Sequence, residues 1–269
     1  MSRQITMSSV AIGAALVFTA VVGVAGSTAA TGQPRASAGA AWSYEGATGP
    51  ENWGRLDPSY AACVDGSVQS PIDIVGATGK AIANPRVAYE NSQVIVENNG
   101  HTVQANALPG SSITVNGVTS QLLQMHFHAP AENMIAGLRA PVDVHFVHKA
   151  ADGKLTVIGV MLKVGSRRNA GWQPMVRVLR LSNIHTASEA SEATTTFDWA
   201  AMLPKDRRSY RFAGSLTTPG CTEGVSWIVM KQPVLLSAAQ IAAFTGAYDN
   251  NARPVQPING RPITLDSSS

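Results

Sequence analysis

Two short stretches of this chain carry most of its histidine, and their spacing is that of a metal site. The first reads Gln124-Met125-His126-Phe127-His128, the second Asp143-Val144-His145-Phe146-Val147-His148. Four of the six histidines thus fall in one narrow window. In both stretches apolar and polar residues alternate, the period of a half-buried β-strand. Residues two apart on a strand project from one face, so His126 and His128 point the same way. His145 shares a face with Asp143. If the two strands are neighbours, three imidazoles converge. Three neutral nitrogen donors with a fourth position left open make a catalytic rather than a structural zinc site. A lone strand histidine is ordinarily a packed core residue; the triple is what carries the metal reading. His148, three beyond His145, falls on the other face and reads as a non-ligand. Metal-bound histidines usually pass their second N–H to an acceptor. Gln124 and Asp143, each two residues before a histidine, have the spacing for that role, though each is equally an ordinary polar strand residue.

Positioning such a trio requires a sheet. Strand-like runs recur at residues 86–90, 93–97, 102–105, 112–115, 121–128, 142–149, 155–164, 210–213 and 225–231, punctuated by Asn98-Asn99-Gly100, Pro109-Gly110, Asn116-Gly117 and Asp152-Gly153. Asp152-Gly153 between two such runs predicts a hairpin. Helical patterns are few: residues 172–181, and 237–245 with Ser237 as N-cap. Many strands close in sequence with rare helices predict a β-dominated α+β fold: one domain over residues 42–266, built on a large, mostly antiparallel twisted sheet with a few short peripheral helices.

Composition narrows the class. The 269 residues are 45% hydrophobic and 14% charged, with a net charge of +3. That balance is ordinary for a globular chain. It gives no basic run of the kind nucleic acid requires. Residues 10–24 form an apolar run after Arg3, followed by small residues, the pattern of a secretory signal. At about 15 residues the run is short of the roughly 20 that span a bilayer. We read residues 1–29 as a signal peptide ending near Ser27-Thr28-Ala29, and residues 30–41 as a disordered leader. Ala36-Ser37-Ala38 and Ala38-Gly39-Ala40 also fit a cleavage site. The expected location is secreted or periplasmic, with no membrane span once the signal is removed. Cys63 and Cys221 are too far apart in sequence for a CxxC motif. In an exported chain an even pair reads most simply as one disulfide, two buried thiols being the alternative.

One further segment bears on chemistry. Gly214-Ser215-Leu216-Thr217-Thr218-Pro219-Gly220-Cys221 is turn-rich, and a threonine hydroxyl can both donate and accept. Taken with Trp42-Ser43-Tyr44, Gly49-Pro50-Glu51-Asn52-Trp53, Gln69-Ser70-Pro71-Ile72-Asp73-Ile74, Asn98-Asn99-Gly100-His101, Gln124 to Glu132, His145 to His148 and Asn251-Ala252-Arg253-Pro254-Val255-Gln256-Pro257, it makes the chain resemble an α-class carbonic anhydrase of the bacterial secreted kind. The segments run in family order over nearly all of residues 42–266.

The resemblance implies a lyase that reversibly hydrates carbon dioxide to bicarbonate and a proton, through zinc-bound hydroxide. It implies Zn²⁺ held by His126, His128 and His145. Thr217 would orient the hydroxide, with Glu132 as its partner and Thr218 beside it. Val147, Val157, Leu216 and Trp227 would form the wall for carbon dioxide. His101 would shuttle the proton, with Tyr44, Asn99 and Gln104 holding the connecting waters; without the resemblance His101 reads as a turn residue. Cys63 and Cys221 match the disulfide pair of secreted bacterial members. The expected partners are the small substrate alone, in a monomer or homodimer.

There are departures. Asp143 stands where glutamate is usual, which shortens its reach to His145. Asn133 follows Glu132 where histidine is usual, and the connection at residues 135–140 is short. Two other readings compete. In a cupin Glu132 would itself be a ligand, but no Gly-Pro-Gly turn precedes His145. A binding protein on the same scaffold would usually lack a ligand histidine, and all three are present.

Overall fold

The computed structural model describes residues 40–181, 184 and 191–268. The expected signal peptide and nearly all of the expected leader lie outside them. Ala40, placed in the leader by its sequence, accepts a hydrogen bond from the Tyr60 hydroxyl at 3.1 Å.

The described strands are β1 (Asp73–Ile74), β2 (Thr78–Lys80), β3 (Arg86–Ala88), β4 (Ser92–Asn98), β5 (Val103–Ala107), β6 (Ser112–Val115), β7 (Val118–His128), β8 (Met134–Ile135), β9 (Leu138–Arg139), β10 (Val142–Ala150), β11 (Leu155–Gly165), β12 (Ser191–Phe197), β13 (Ser209–Ser215), β14 (Glu223–Met230), β15 (Val234–Ser237) and β16 (Thr264–Asp266). Thirteen of them make one sheet, whose main path runs β12-β4-β5-β7-β10-β11-β14-β13-β16-β2. Most neighbours are antiparallel, as the sequence predicts. Parallel joins occur at β11–β14, β11–β15 and β16–β2, which short-range patterning does not reveal. The Asp152-Gly153 turn closes the β10–β11 hairpin, with Gly153 at φ 88°.

Period-two patterning decides what each face does. On β7 and β10, Met125, Phe127, Val142, Val144 and Phe146 enter the main core. Helices α1 (Trp53–Leu56) and α2 (Ala62–Asp65) precede the sheet; α3 (Gln173–Leu179) and α4 (Ala238–Ala247) contribute Met175, Val176, Leu179, Ile241 and Phe244 to that core. The α4 N-terminus is fixed by a capping box between Ser237 and Gln240, as the sequence suggests. Interleaved residues on the opposite face include His126, His128, Asp143 and His145. There Val147, Val157, Trp227 and Val229 form a second, smaller apolar cluster. Strand β10, which carries His145, is buried on both faces.

Candidate metal centre

Strand register brings the three histidines together. His145 on β10 stands opposite His126 on β7, and Asp143 opposite His128. The row continues from His126 to Gln104 on β5 and from His145 to Gly159 on β11. The rings are 4.8 to 5.2 Å apart between centroids. Each offers one nitrogen, and these three atoms lie within 4.8 Å of one another.

The second nitrogen of each ring shows which atom is offered. His126 Nδ1 donates to Gln124 Oε1 at 2.8 Å, and His128 Nδ1 donates to the main-chain carbonyl of Asn251 at 2.6 Å. Both partners only accept, so both rings carry their proton on Nδ1 and keep a lone pair on Nε2. His145 is turned the other way. Its Nε2 stands 3.1 Å from Asp143 Oδ2, which leaves Nδ1 for the shared space. That contact falls short of full hydrogen-bond geometry, as the short reach of aspartate leads one to expect. Asp143 Oδ2 also receives the main-chain and side-chain N–H groups of Asn133, both at 3.2 Å. Asn133 and Asp143, two of the departures noted in the sequence, therefore touch each other beneath His145.

Electrostatics fit the same picture. Burial, then the neighbouring rings, hold His126 and His128 well below the ordinary imidazole value, so both are neutral donors. Burial also acts against charge on His145, but Asp143 and then Glu132 outweigh it and raise that ring. Buried His128 Nε2 has no hydrogen-bond partner among the described residues. An orphaned, nearly inaccessible lone pair is costly unless something binds it. Three nitrogen donors, each braced behind, are what zinc accepts, and the residues present fit that ion.

Glu132 is fully buried and lies beside the trio, its Oε2 3.4 Å from His128 Nε2 and 3.9 Å from His145 Nδ1. Its other oxygen accepts the Arg253 main-chain N–H at 2.9 Å. Burial pushes its carboxyl up to about 7, against the opposing pull of His145, the Arg253 N–H and the Thr217 hydroxyl. Thr217 thus faces Glu132, although Oε2 lacks a fully formed hydrogen bond.

The Thr217 loop is closed by Leu216 N–H to Thr222 O (2.9 Å) and Cys221 N–H to Thr218 O (2.8 Å). Cys221 sits at φ 47° and is disulfide-bonded to Cys63, 158 positions away. The buried Arg253 guanidinium, held down to about 10 by burial, joins these parts. It donates to Gln69 Oε1 at 2.8 Å, Ser70 O at 2.7 Å and Cys63 O at 3.1 Å. Arg253 and Asn251 appear in the sequence only as parts of a motif, and nothing in their types marks these bracing roles.

A cavity of about 320 Å³ opens over the trio. Its lining changes character across the sheet. Val147, Leu155, Val157 and Trp227 make it apolar on β10, β11 and β14, together with Leu216. Gln104, Gln124, Tyr44, Asn99, His101, Thr217 and Thr218 make the rest polar. Leu123 joins the lining through a bulge: the β7–β10 register skips it between Gln124 and Leu122, turning it to the cavity side. Sequence alternation alone does not give that residue. His101 follows Gly100 (φ 86°) in a turn whose N–H groups at 101 and 102 both donate to Asn99 Oδ1 at 3.0 Å. The Asn99 oxygen is thereby committed to the turn. The Trp42 ring stacks on His101 at 3.6 Å and 9°, and burial holds the imidazole below its ordinary value. The Tyr44 hydroxyl is buried without a partner among the described residues. His148 faces the core, as its position predicts. It donates from Nδ1 to Thr156 O (3.2 Å) and accepts from the Tyr89 hydroxyl (2.7 Å).

Comparison with known proteins agrees with this geometry. Residues 48–267 match the model of the eukaryotic-type carbonic anhydrase family. A carbonic anhydrase of Klebsiella pneumoniae is 42% identical over 230 residues, covering 82% of this chain and 89% of that protein. One from Pectobacterium carotovorum is 40% identical over 227 residues, with the same coverages. Among solved structures, the α-carbonic anhydrase of Thermovibrio ammonificans in complex with the inhibitor sulfanilamide superimposes with a TM-score of 0.78 at 40% identity, covering 84% of this chain and 99% of that one. Dioscorin complexed with ascorbate shares the fold at a TM-score of 0.77 and 30% identity, covering 84% and 97%. The cupin alternative is thereby set aside, and the chain belongs to the α-carbonic anhydrases, an enzyme family.

Proposed function

We propose that this enzyme hydrates carbon dioxide reversibly at a zinc ion held by His126 Nε2, His128 Nε2 and His145 Nδ1. The observation that carries the reading is the bracing of all three rings: each has its other nitrogen turned to an acceptor, and the three that remain converge. When bound, zinc supplies a Lewis acid that brings the pKa of a coordinated water to about 7. That value is the general one for carbonic anhydrase, not one worked out from this chain.

The remaining work falls to the chain's own side chains. Glu132 is anchored through one oxygen by Arg253 and offers the other to Thr217. A Thr217 hydroxyl that donates to Glu132 must accept from its other neighbour, and so holds the attacking oxygen with a lone pair toward the substrate. Thr218 lines the site beside it. Val147, Val157, Leu216 and Trp227 receive carbon dioxide, which has no net dipole and gives up little hydration on entering an apolar pocket. His101 takes the released proton outward; an imidazole is the side chain suited to that exchange near neutrality. Tyr44, Gln104 and the free amide of Asn99 hold the waters in between. Gln124 and Asp143 fix the ring tautomers.

The Cys63–Cys221 disulfide and the N-terminal apolar run support export, hence a secreted or periplasmic enzyme acting as a monomer or homodimer. No helix among the described residues is long and apolar enough to cross a membrane.

The test is stopped-flow carbon dioxide hydration on the purified protein, on its chelator-stripped form, and on the latter after zinc is restored. Loss and recovery of hydration support the proposal. Hydration that survives complete metal removal, or that never appears with stoichiometric zinc, overturns it.

A further inference from the structure

The row of side chains that carries the histidines extends past them. In the register Glu97 on β4 faces Gln104 on β5, and Gln104 faces His126 on β7. Asn106, two residues beyond Gln104, shares its face. These three side chains close a polar triangle. Gln104 Nε2 donates to Asn106 Oδ1 at 2.6 Å and to Glu97 Oε1 at 3.3 Å, while Asn106 Nδ2 donates to the same Glu97 oxygen at 2.9 Å.

Glu97 sets every orientation in this triangle. A carboxylate only accepts, so both carboxamides must turn their nitrogens toward it. The Asn106 oxygen is then left facing Gln104, where it takes the second N–H. Flipping Gln104 would bring its oxygen against a carboxylate oxygen and the Asn106 oxygen at once. With Nε2 held, Oε1 is the end of Gln104 that has no donor among the described residues, and Gln104 lines the metal cavity. Its neighbour Gln124 is fixed in the opposite sense: Oε1 is committed to His126 Nδ1, so its Nε2 is the group left over. The polar side of the cavity therefore combines one set acceptor with one set donor.

We propose that Glu97 is a positioning residue for proton release. By locking Gln104 with Oε1 toward the cavity, it makes the neighbouring water donate to Gln104 and keep its lone pairs free. A water that passes a proton onward needs a free lone pair facing the incoming proton. An N–H presented from a flipped Gln104 would occupy that lone pair. This inference rests on the function proposed above and names a residue that itself touches neither substrate nor metal ligand.

The experiment compares Glu97→Gln with wild type in zinc-loaded protein, by stopped-flow hydration in weak buffer and at saturating imidazole. A glutamine at 97 has the same shape but can donate, so the triangle loses its fixed sense. Hydration itself (kcat/KM) should be unchanged. In weak buffer kcat should fall about two- to tenfold, the range one misdirected hydrogen bond carries, and imidazole, which bypasses the water chain, should restore it. In a Gln104→Leu background the Glu97→Gln effect should vanish, because the route runs through Gln104. An equal fall in kcat and kcat/KM would mean general damage to the site and overturn the proposal, as would an unchanged kcat in weak buffer or an effect that persists without Gln104. If wild type itself does not hydrate carbon dioxide, the functional reading fails first, which is a separate outcome.

Discussion

Replacing Asp143 by asparagine probes the most unusual part of the site. The exchange alters one heavy atom and leaves no cavity. Asn133 aims two N–H donors at Asp143 Oδ2, both at 3.2 Å. The His145 Nε2 contact at 3.1 Å falls on that same oxygen. In Asp143→Asn all three donors select the carboxamide oxygen, so the ring keeps its tautomer and the new Nδ2 takes the place of Oδ1, which has no partner among the described residues. What the exchange removes is the negative charge behind His145. A hydrogen bond to a charged group contributes about 1.5–3 kcal/mol and a neutral one about 0.5–1.5, so the brace weakens by about 1–1.5 kcal/mol. At about 1.4 kcal/mol per decade this corresponds to roughly 10-fold weaker zinc binding, the lower end of the range expected for groups that brace a ligand histidine. The assay is zinc affinity in chelator-buffered solution at neutral pH, with circular dichroism and thermal unfolding of the metal-free protein as controls. A variant that binds zinc as tightly as wild type would refute the reasoning, and would mean that the charge of Asp143, 3.1 Å from His145 Nε2, does not strengthen that ligand.

Three further outcomes follow from the same geometry. Thr217→Ala should slow hydration by about 100-fold or more with zinc content unchanged; wild-type kinetics would remove Thr217 from the orienting role. His101→Ala should lower turnover in weak buffer and recover with imidazole, and turnover indifferent to buffer would reject the shuttle. His148 bears on stability: burial holds it down from 6.5 to about 4. The folded state therefore binds fewer protons than the unfolded chain over that interval, and stability must fall as pH drops from 6.5 through about 4. The loss is roughly 3 kcal/mol at most, read as a shift of the urea midpoint. Buried His126, His128 and Glu132 also titrate differently in the folded and unfolded chain, so the reading is the difference between two proteins: His148→Gln should show a shallower fall than wild type over the interval, and identical slopes would contradict it.

How much of this was legible in the sequence depends on the range of the interaction. The faces of β7 and β10, the convergence of the histidines and the exclusion of His148 follow from period-two alternation, a property of neighbours in the chain. The hairpin at Asp152-Gly153 and the α4 cap at Ser237 are local for the same reason. Strand β12, with Glu192-Ala193-Thr194-Thr195-Thr196, lacks alternation and escapes notice; it is defined by pairing with β4. The parallel joins depend on partners distant in sequence. At the site, Gln124 is found by its spacing to His126. The brace behind His128 is a main-chain carbonyl, that of Asn251, which any residue type could supply. Trp42 on His101, Arg253 beneath Glu132 and the bulge at Leu123 are likewise tertiary facts. The resemblance to a known family supplied the roles of Thr217, Glu132 and His101, which their residue types alone would not have given.

The central claim is that three imidazoles of one chain hold a single ion and leave it an open corner. Zinc K-edge X-ray absorption on the purified protein, with metal content measured on the same sample, addresses it most directly. The account predicts one zinc per chain with three imidazole nitrogens and one further light ligand at about 2.0–2.1 Å. An absence of stoichiometric zinc, a sulfur ligand, or fewer than three imidazoles would contradict it.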